Sequence, residues 1–174
     1  GITKVKDPGS ALTHFIAMIL AIIAAIPLLS KAGHDSGHMH ISALAIFILS
    51  MIGLYAASTI YHTLDISPKI NKLLRKIDHM MIFILIAGTY TPVCMIVLGD
   101  KTGWTMLTLV WGIAIVGILI NALWITCPKW FSSLIYIAMG WVCILAITKI
   151  LSSMPRAGFM WLLAGGIIYT AGGI

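Results

Sequence analysis

The sequence contains very little charge, and none of its acidic residues is a glutamate. Only 9% of the 174 residues are charged, whereas 60% are hydrophobic. A soluble globular domain has about 25% charged residues, so this composition excludes that class of protein. Apolar runs of about 20 residues, each long enough to cross the hydrocarbon core of a bilayer, recur along the chain.

Alternation of apolar and polar residues, the pattern of β-strands, is almost absent. Inside a bilayer only helices and closed barrels satisfy every backbone hydrogen bond, and a barrel requires that alternation in each of its strands. The sequence therefore predicts an all-α fold, a polytopic transmembrane helical bundle that forms a single domain over residues 1–174.

Cysteine is also scarce, and the charge has an excess of one sign. Three cysteines lie in or beside apolar segments, and we interpret them as small buried residues rather than redox groups or ligands: Cys94, Cys127 and Cys143. The net charge of +6 comes from eleven Lys and Arg against five Asp. In a membrane protein this excess indicates contact with lipid headgroups rather than nucleic acid, so membrane lipid is the expected partner.

The apolar runs predict six helices, at about 11–30, 41–62, 78–98, 104–126, 131–151 and 157–174. Asp7 and Pro8 fit the N-cap and the first position of the first helix. In the third helix, residues 87–89 (Ala-Gly-Thr) form a patch of small residues that would let a neighbouring helix approach closely. Pro92 predicts a bend near the end of that helix.

A short amphipathic helix is predicted between the second and third spans, with Ser67 as its cap and Pro68 at its first position. One stripe of this helix is apolar: Ile70, Leu73, Leu74 and Ile77. The other is basic: Lys69, Lys72, Arg75 and Lys76. Such a helix is expected to lie on the membrane surface, with its apolar stripe toward lipid or the bundle.

The basic residues are distributed unequally between the two sides of the predicted bundle. Seven lie on the side of the N-terminus: Lys4, Lys6, Lys69, Lys72, Arg75, Lys76 and Lys129. Four lie on the other side: Lys31, Lys101, Lys149 and Arg156. Cytoplasmic loops carry the excess of basic residues, so the sequence predicts a multi-pass protein of the cell membrane with a cytoplasmic N-terminus.

Ser58, His62 and Asp78 form the candidate functional site. Ser58 and His62 are four residues apart and lie on one face of the second helix. Asp78 begins the next apolar run, so we expect it at the depth of His62. Ionisable residues at membrane depth are candidates for function, and these three could form a metal or catalytic site.

Each of the three residues also has an ordinary structural interpretation. Ser58 could hydrogen-bond the carbonyl four residues back, His62 could be an interfacial aromatic residue, and Asp78 could cap the third helix or pair with Arg75. Two protein ligands are also too few for zinc, which normally has three or four. Three further histidines, His34, His38 and His40, lie in a segment on the far side, where a solvated turn is favoured over a metal cluster.

Three segments together carry a resemblance to a known family: residues 58–62 (Ser-Thr-Ile-Tyr-His), 77–79 (Ile-Asp-His) and 87–92 (Ala-Gly-Thr-Tyr-Thr-Pro). They resemble the bacterial hemolysin III family, which belongs to the progestin and adiponectin receptor (PAQR) group and is more distantly similar to alkaline ceramidases. The resemblance implies a seven-helix bundle in a bacterial cell membrane, with zinc near its cytoplasmic end. In that pattern His62 is a zinc ligand, Asp78 holds the zinc-bound water, and Ser58 supports the site.

The resemblance also implies two further zinc ligands, an H-x-x-x-H pair on a seventh helix. This sequence contains no such pair, and we expect that the chain lacks the seventh helix. The 174-residue chain is therefore expected to bind zinc weakly or not at all, whereas a longer parent protein would bind one ion.

Three functions remain open at this point. The first is a zinc-dependent hydrolase of a lipid amide or ester, or a related role in membrane-lipid homeostasis, in which Asp78 and Ser58 serve catalysis. The second is a lipid-sensing receptor in which zinc is structural. The third is a cytolytic protein, as the family name suggests, although the sequence contains no amphipathic pore hairpin. Nothing in the sequence distinguishes an enzyme from a sensor.

Overall fold

The computed structural model describes residues 5–35, 37–124 and 127–173, and these residues form a bundle of helices. The helices are α1 (Pro8–Asp35), α2 (Gly37–Thr63), α3 (Pro68–Pro92), α4 (Lys101–Leu123), α5 (Lys129–Trp141), α6 (Ile147–Ser153) and α7 (Arg156–Gly173). A π-helical segment, Val93–Leu98, extends α3, and a 3₁₀ segment, Val142–Ala146, joins α5 to α6. The all-α fold predicted from composition is confirmed.

Five spans of the described chain are long and apolar enough to cross a membrane: Pro8–His34, Gly37–Thr63, Pro68–Leu98, Lys101–Leu123 and Lys129–Ser153. The shorter α7 is a sixth apolar helix. The observed helices begin a few residues before the predicted ones in most cases, because capping residues and polar first turns precede each apolar run.

Hydrogen bonds between helix ends define one face of the bundle. The Asp7 N–H donates to the carbonyl of His62 at 2.9 Å, so α1 begins beside the end of α2. The Lys76 Nζ donates to the carbonyl of Ala122 at 3.1 Å, which places the first turns of α3 beside the end of α4. We call this the N-terminal face, and the other helix ends form the opposite face.

The chain reverses between α1 and α2 with almost no loop, whereas the sequence predicted a solvated turn over residues 31–40. α1 continues to Asp35 and α2 begins at Gly37, so His34, His38 and His40 are helical residues. Gly37 has a φ of 77°, a left-handed conformation that glycine adopts without steric cost. This glycine allows the tight reversal, and the prediction of a longer turn was wrong.

α3 is one continuous helix from Pro68, and this corrects two predictions. The start of the helix is as expected, because the Ser67 side chain accepts a hydrogen bond from the Ile70 N–H and Pro68 occupies the first turn. The third span does not begin at Asp78, however, and the basic segment is not a separate surface helix. No Pro or Gly interrupts residues 69–87, so nothing breaks the helix where its composition changes from basic to apolar.

The predicted small-residue patch on α3 is a point of close approach to α2. A Cβ atom added to Gly88 would lie 2.1 Å from the Ser50 Oγ, which is too close for any side chain larger than glycine without movement. Nearer the N-terminal face, a Cβ at Gly53 would lie 2.7 Å from the tip of Met81. These two contacts define the register of the antiparallel helices α2 and α3. In this register, the α2 residue at the same level as Asp78 is at or close to Ser58.

The bend predicted at Pro92 takes the form of a change in helix type. The Thr91 Oγ1 donates to the carbonyl of Ala87 at 2.9 Å, and the π-helical segment follows directly after Pro92. The π-helical segment ends at Gly99, whose φ is 61°. A proline removes one backbone donor from the helical ladder, and the wider π turn accommodates the loss.

The fifth span is interrupted, although its sequence predicted one uninterrupted helix. The Tyr90 hydroxyl of α3 lies 2.8 Å from the carbonyl oxygens of both Met139 and Gly140, and it accepts from the Cys143 N–H at 3.0 Å. One phenol thus replaces backbone hydrogen bonds of the α-helix at this point. The chain consequently changes to 3₁₀ geometry over Val142–Ala146 before α6 begins.

The best-buried part of the bundle lies among α3, α4, α5 and α6. Phe83 packs so closely on α4 that a Cβ at Gly117 would lie 2.4 Å from its ring, and its centroid is 4.6 Å from that of Tyr136. The cluster of buried residues includes Ile86, Ala87, Cys94, Val110, Ala114, Met139 and Ile150. α1 is the most exposed span, as expected for a helix that lies at the edge of a bundle and faces lipid.

Candidate functional site

His62 lies in the last turn of α2, and its partner is Asp7. The His62 Nδ1–H donates to the Asp7 Oδ2 at 2.9 Å, while the backbone N–H of Asp7 donates to the carbonyl of His62. The Asp7 carboxylate thus binds the imidazole rather than serving only as a cap of α1. Because Nδ1 carries the proton in this hydrogen bond, the Nε2 lone pair of a neutral His62 remains available to a ligand.

The residues around Asp7 and His62 form a small polar cluster at the N-terminal face. The Lys6 Nζ lies 3.7 Å from the centroid of the Tyr61 ring, a cation–π contact. The Tyr61 ring is in turn 4.8 Å from the ring of His62, centroid to centroid. These contacts hold the residues before α1 against the last turn of α2.

Ser58 lies one turn further into α2, and it is buried with 4% of its surface exposed. Its Oγ is 2.6 Å from the Nδ1 of His14 on α1, a hydrogen bond between two helices. The alternative that Ser58 bonds the carbonyl four residues back is therefore not what the structure contains. The neighbouring Thr59 makes that kind of bond, to the carbonyl of Tyr55.

Asp78 is a buried carboxylate in α3, with 9% of the residue exposed. The Nδ1 of His79 lies 3.9 Å from its Oδ2, which is longer than a hydrogen bond, and the Asp78 side chain makes no hydrogen bond within the described part of the chain. His79 itself lies 2.8 Å from the carbonyl of Arg75 through Nδ1. Asp78 neither caps α3, which begins ten residues earlier, nor forms an ion pair with Arg75.

The register of α2 and α3 relates the three predicted site residues. Ser58 and Asp78 lie at the same level on adjacent helices, and His62 lies about one turn, roughly 5 Å, nearer the N-terminal face. The sequence had placed His62 and Asp78 at the same depth. The difference arises because α3 begins at Pro68, so Asp78 is inside the helix rather than at its end.

No group of three or more His, Cys, Asp or Glu side chains converges as a metal site within the described ranges. The centroids of the His14 and His62 rings are 5.8 Å apart, and each ring has its Nδ1 engaged by another partner. On the opposite face, His34 and His38 are exposed at the ends of two different helices.

The opposite face contains a second charged contact, between Asp100 and Lys149. Asp100 caps α4 by accepting from the Gly103 N–H at 3.1 Å, and it also binds the Lys149 ammonium. The lysine charge, together with the Gly103 N–H, lowers the pKa of the Asp100 carboxyl from its usual range. This contact joins the start of α4 to α6 and is far from the candidate site.

Sequence reasoning missed His14 and the binding role of Asp7. His14 lies inside an apolar run, and an ionisable residue at that depth is itself a signal of function or of a buried partner. This signal is the same one that selects His62 and Asp78 as candidate site residues. The partner of Asp7 could not be inferred, because the residues in contact are 55 positions apart in the chain.

The fold, with five helical spans in the described chain that are long and apolar enough to cross a membrane and a few polar residues between them, is that of a multi-pass helical membrane protein. A family model described as "Haemolysin-III related" matches residues 2–174. The protein named "Hemolysin-3" from Bacillus cereus is 40% identical over 97% of this chain and 77% of its own length. "Hemolysin-3 homolog" from Bacillus subtilis (strain 168) is 36% identical over 97% of this chain and 79% of its own. The chain belongs to the haemolysin III-related family.

Proposed function

We propose that this membrane protein is a zinc-dependent hydrolase of a lipid amide or ester, with His62 as one zinc ligand. The observation that carries the proposal is the hydrogen bond from His62 Nδ1–H to Asp7. Histidines that bind metals through one ring nitrogen commonly donate the other N–H to a carboxylate, which fixes the tautomer and raises ligand basicity. His62 has this arrangement, with Nε2 left for the metal.

The other polar residues near His62 do not complete a set of zinc ligands, and they fit supporting roles instead. Zinc sites have three or four protein ligands in most cases, and the described residues provide His62 together with a carboxylate one turn deeper, Asp78. The sequence contains no histidine after His79. The proposal therefore requires two further ligands, which the resemblance to the PAQR group assigns to a seventh helix of a longer protein.

Asp78 is the proposed proton acceptor. A bound zinc ion would lower the pKa of its water to about 7 and polarise a carbonyl group. Asp78 is buried and makes no hydrogen bond to the described residues, so the carboxylate is available to hold a water molecule and accept its proton. Ser58, at the same level, has its hydroxyl oriented by His14, which favours a second polar contact with the same water or with substrate.

The surroundings of the site support a lipid as the proposed substrate. The site lies between apolar helices, and the outer surfaces of α1 and α2 carry many exposed apolar side chains. An acyl chain can approach such a site from the bilayer without leaving an apolar environment. A lipid with a polar headgroup and an amide or ester bond near the membrane surface would bring that bond to the depth of the site.

The test is product release from a panel of ceramides and phospholipids by the purified protein in lipid nanodiscs. We expect release by a protein that includes the proposed seventh helix, loss of at least about 100-fold on Asp78→Asn, and little change on Asp65→Asn. Asp65 is a matched control, because it is an exposed aspartate of the same face that binds Asn71. Zinc binding without any product would favour the receptor function instead.

A second candidate function is cytolysis, and the names of the two Bacillus relatives, Hemolysin-3 and Hemolysin-3 homolog, favour it. Haemoglobin release from erythrocytes mixed with protein-containing vesicles measures it directly. If Asp78→Asn abolishes lipid hydrolysis but leaves haemoglobin release unchanged, the two activities are separate. If both are lost together, haemolysis is a consequence of lipid hydrolysis.

We further propose that the protein resides in the bacterial cell membrane with its N-terminal face toward the cytoplasm, as the seven-to-four distribution of basic residues favours. Single cysteines introduced at 63–77 in a cysteine-free background should be protected from a membrane-impermeant thiol reagent in intact cells. A cysteine in place of Lys31 should react. Labelling of residues 63–77 from outside the cell would show that the orientation is the opposite of the one proposed.

A further inference from the structure

We propose that the first three turns of α3, residues 68–77, bind the headgroups of anionic phospholipids at the N-terminal face. The length of the span is the first argument. Pro68–Leu98 contains 31 residues, which corresponds to about 46 Å of helix against a hydrocarbon core of about 30 Å. Roughly ten residues must therefore lie outside the core, and the four basic residues of the span all occur at positions 69–76.

The exposed surface of this segment has two adjoining stripes. Lys69 and Lys72 are exposed, and they lie on one side of the helix because they are three residues apart. Beside them, Ile70, Leu73 and Ile77 have 38%, 56% and 36% of their surface exposed. A basic stripe next to an apolar stripe fits the boundary between phosphate groups and acyl chains, and a soluble polyanion would leave the apolar stripe in water.

Within the described part of the chain, no carboxylate neutralises the lysine and arginine charges of the segment. On the N-terminal face, Asp7 contacts His62 and Asp78 contacts His79, and neither carboxylate reaches a lysine or arginine of α3. The remaining carboxylate of this face, Asp65, accepts from the Asn71 side chain at 2.6 Å.

One of the four basic residues already has a partner. The Lys76 Nζ donates to the Ala122 carbonyl at the end of α4, where the helix dipole favours a cation. Lys69, Lys72 and Arg75 have no carboxylate partner within the described chain, and they are the three residues that we assign to lipid phosphate.

The test compares the added lipids that are retained by the full chain and by two variants of equal charge. The first variant is Lys69→Gln/Lys72→Gln/Arg75→Gln. The matched control removes three exposed basic residues of the opposite face, Lys31→Gln/Lys101→Gln/Arg156→Gln. Each detergent-purified protein is incubated with equimolar phosphatidylglycerol and phosphatidylcholine, and the retained lipids are quantified by mass spectrometry after gel filtration. Circular dichroism and a single symmetric elution peak establish that the variants are folded.

We expect the unmodified chain and the control variant to retain phosphatidylglycerol at least about tenfold over phosphatidylcholine, because each basic residue near a membrane surface adds to the attraction for anionic lipid. The α3 variant should retain the two lipids almost equally. Enrichment that persists in the α3 variant would overturn the proposal. Equal loss of phosphatidylglycerol enrichment in both variants would also overturn the proposal, because net charge rather than this segment would then account for the lipid selectivity.

Discussion

The Nδ1 of His62 lies 2.9 Å from the Oδ2 of Asp7, and this hydrogen bond joins the last turn of α2 to the residue that precedes α1. A second hydrogen bond, between the backbone of the same two residues, runs beside it. The imidazole is therefore held in one orientation and one tautomer by residues that precede the first helix. The residues before α1 are thus part of the candidate site.

Removal of the Asp7 carboxylate is expected to weaken zinc binding rather than unfold the bundle. Loss of a carboxylate that holds a ligating histidine lowers metal affinity by about 10–100-fold, and we expect this effect from Asp7→Ala in a protein that includes the proposed seventh helix. Competition with a fluorescent zinc chelator measures the affinity. The control is Asp65→Ala, which removes an exposed aspartate from the same face. Equal zinc affinity in the Asp7 variant and the unmodified protein would exclude this role.

Gly88→Ala is expected to destabilise the bundle, because the new methyl group would meet the Ser50 Oγ at 2.1 Å. Overpacking of this kind costs about 1–3 kcal/mol. The matched control is Gly112→Ala, a glycine in the middle of α4 with no atom within 4 Å of the added Cβ. Alanine is the better helix former, so that variant should be at least as stable as the unmodified chain. Unfolding in a denaturing detergent, followed by circular dichroism, compares the two; equal stability would contradict the close contact.

Tyr90→Phe should cost about 1–3 kcal/mol, because it leaves the Cys143 N–H without its hydrogen-bond acceptor. The carbonyls of Met139 and Gly140 also lose their contact with the phenol, but each keeps another donor, the Val142 N–H and the Cys143 thiol. Tyr55→Phe is a suitable control, since the Tyr55 hydroxyl makes no hydrogen bond to the described residues and its ring contacts His14. The same unfolding experiment applies. A Tyr90 variant as stable as the Tyr55 variant would show that the 3₁₀ segment does not depend on this phenol.

The ion pair of Asp100 with Lys149 predicts a pH dependence of stability. The pKa of Asp100 is lowered in the folded state, chiefly by the Lys149 ammonium. The stabilisation is therefore complete above the unfolded pKa of about 3.9 and is lost as the pH falls through the lower folded value. Thermal unfolding between pH 6 and pH 3 should show a smaller acid-induced fall in Tm for Lys149→Met. Lys101→Met, which removes an exposed lysine beside Asp100, should behave like the unmodified chain. Identical pH profiles for the unmodified chain and both variants would show that the Asp100–Lys149 ion pair does not contribute to the pH dependence of stability.

The sequence predicted those features that depend on local chemistry. Ser67 and Pro68 begin α3 as expected, and Gly88 provides the close helix contact, because capping and small size act through the nearest atoms. It did not predict the break in the fifth span, which depends on a tyrosine hydroxyl about 50 residues away. It also separated the basic segment from the third span, because the composition changes there although no residue breaks the helix.

In the candidate site, too, the sequence predicted local features but not the contacts between residues distant in the chain. Ser58, His62 and Asp78 could be selected as rare polar residues in apolar surroundings, and the resemblance assigned their roles. Their actual partners, His14 for Ser58 and Asp7 for His62, come from α1 and the residues before it. Such pairings depend on how α1 packs against α2, which no local pattern encodes.

Metal analysis of purified protein tests whether His62 is a zinc ligand. Inductively coupled plasma mass spectrometry should find one zinc ion per molecule of a protein that includes the proposed seventh helix and much less in the 174-residue chain. His62→Ala should remove the zinc, whereas His34→Ala, a histidine of the opposite face, should retain it. If the well-folded protein with the seventh helix contains no zinc, or keeps its zinc after His62→Ala, His62 is not a zinc ligand.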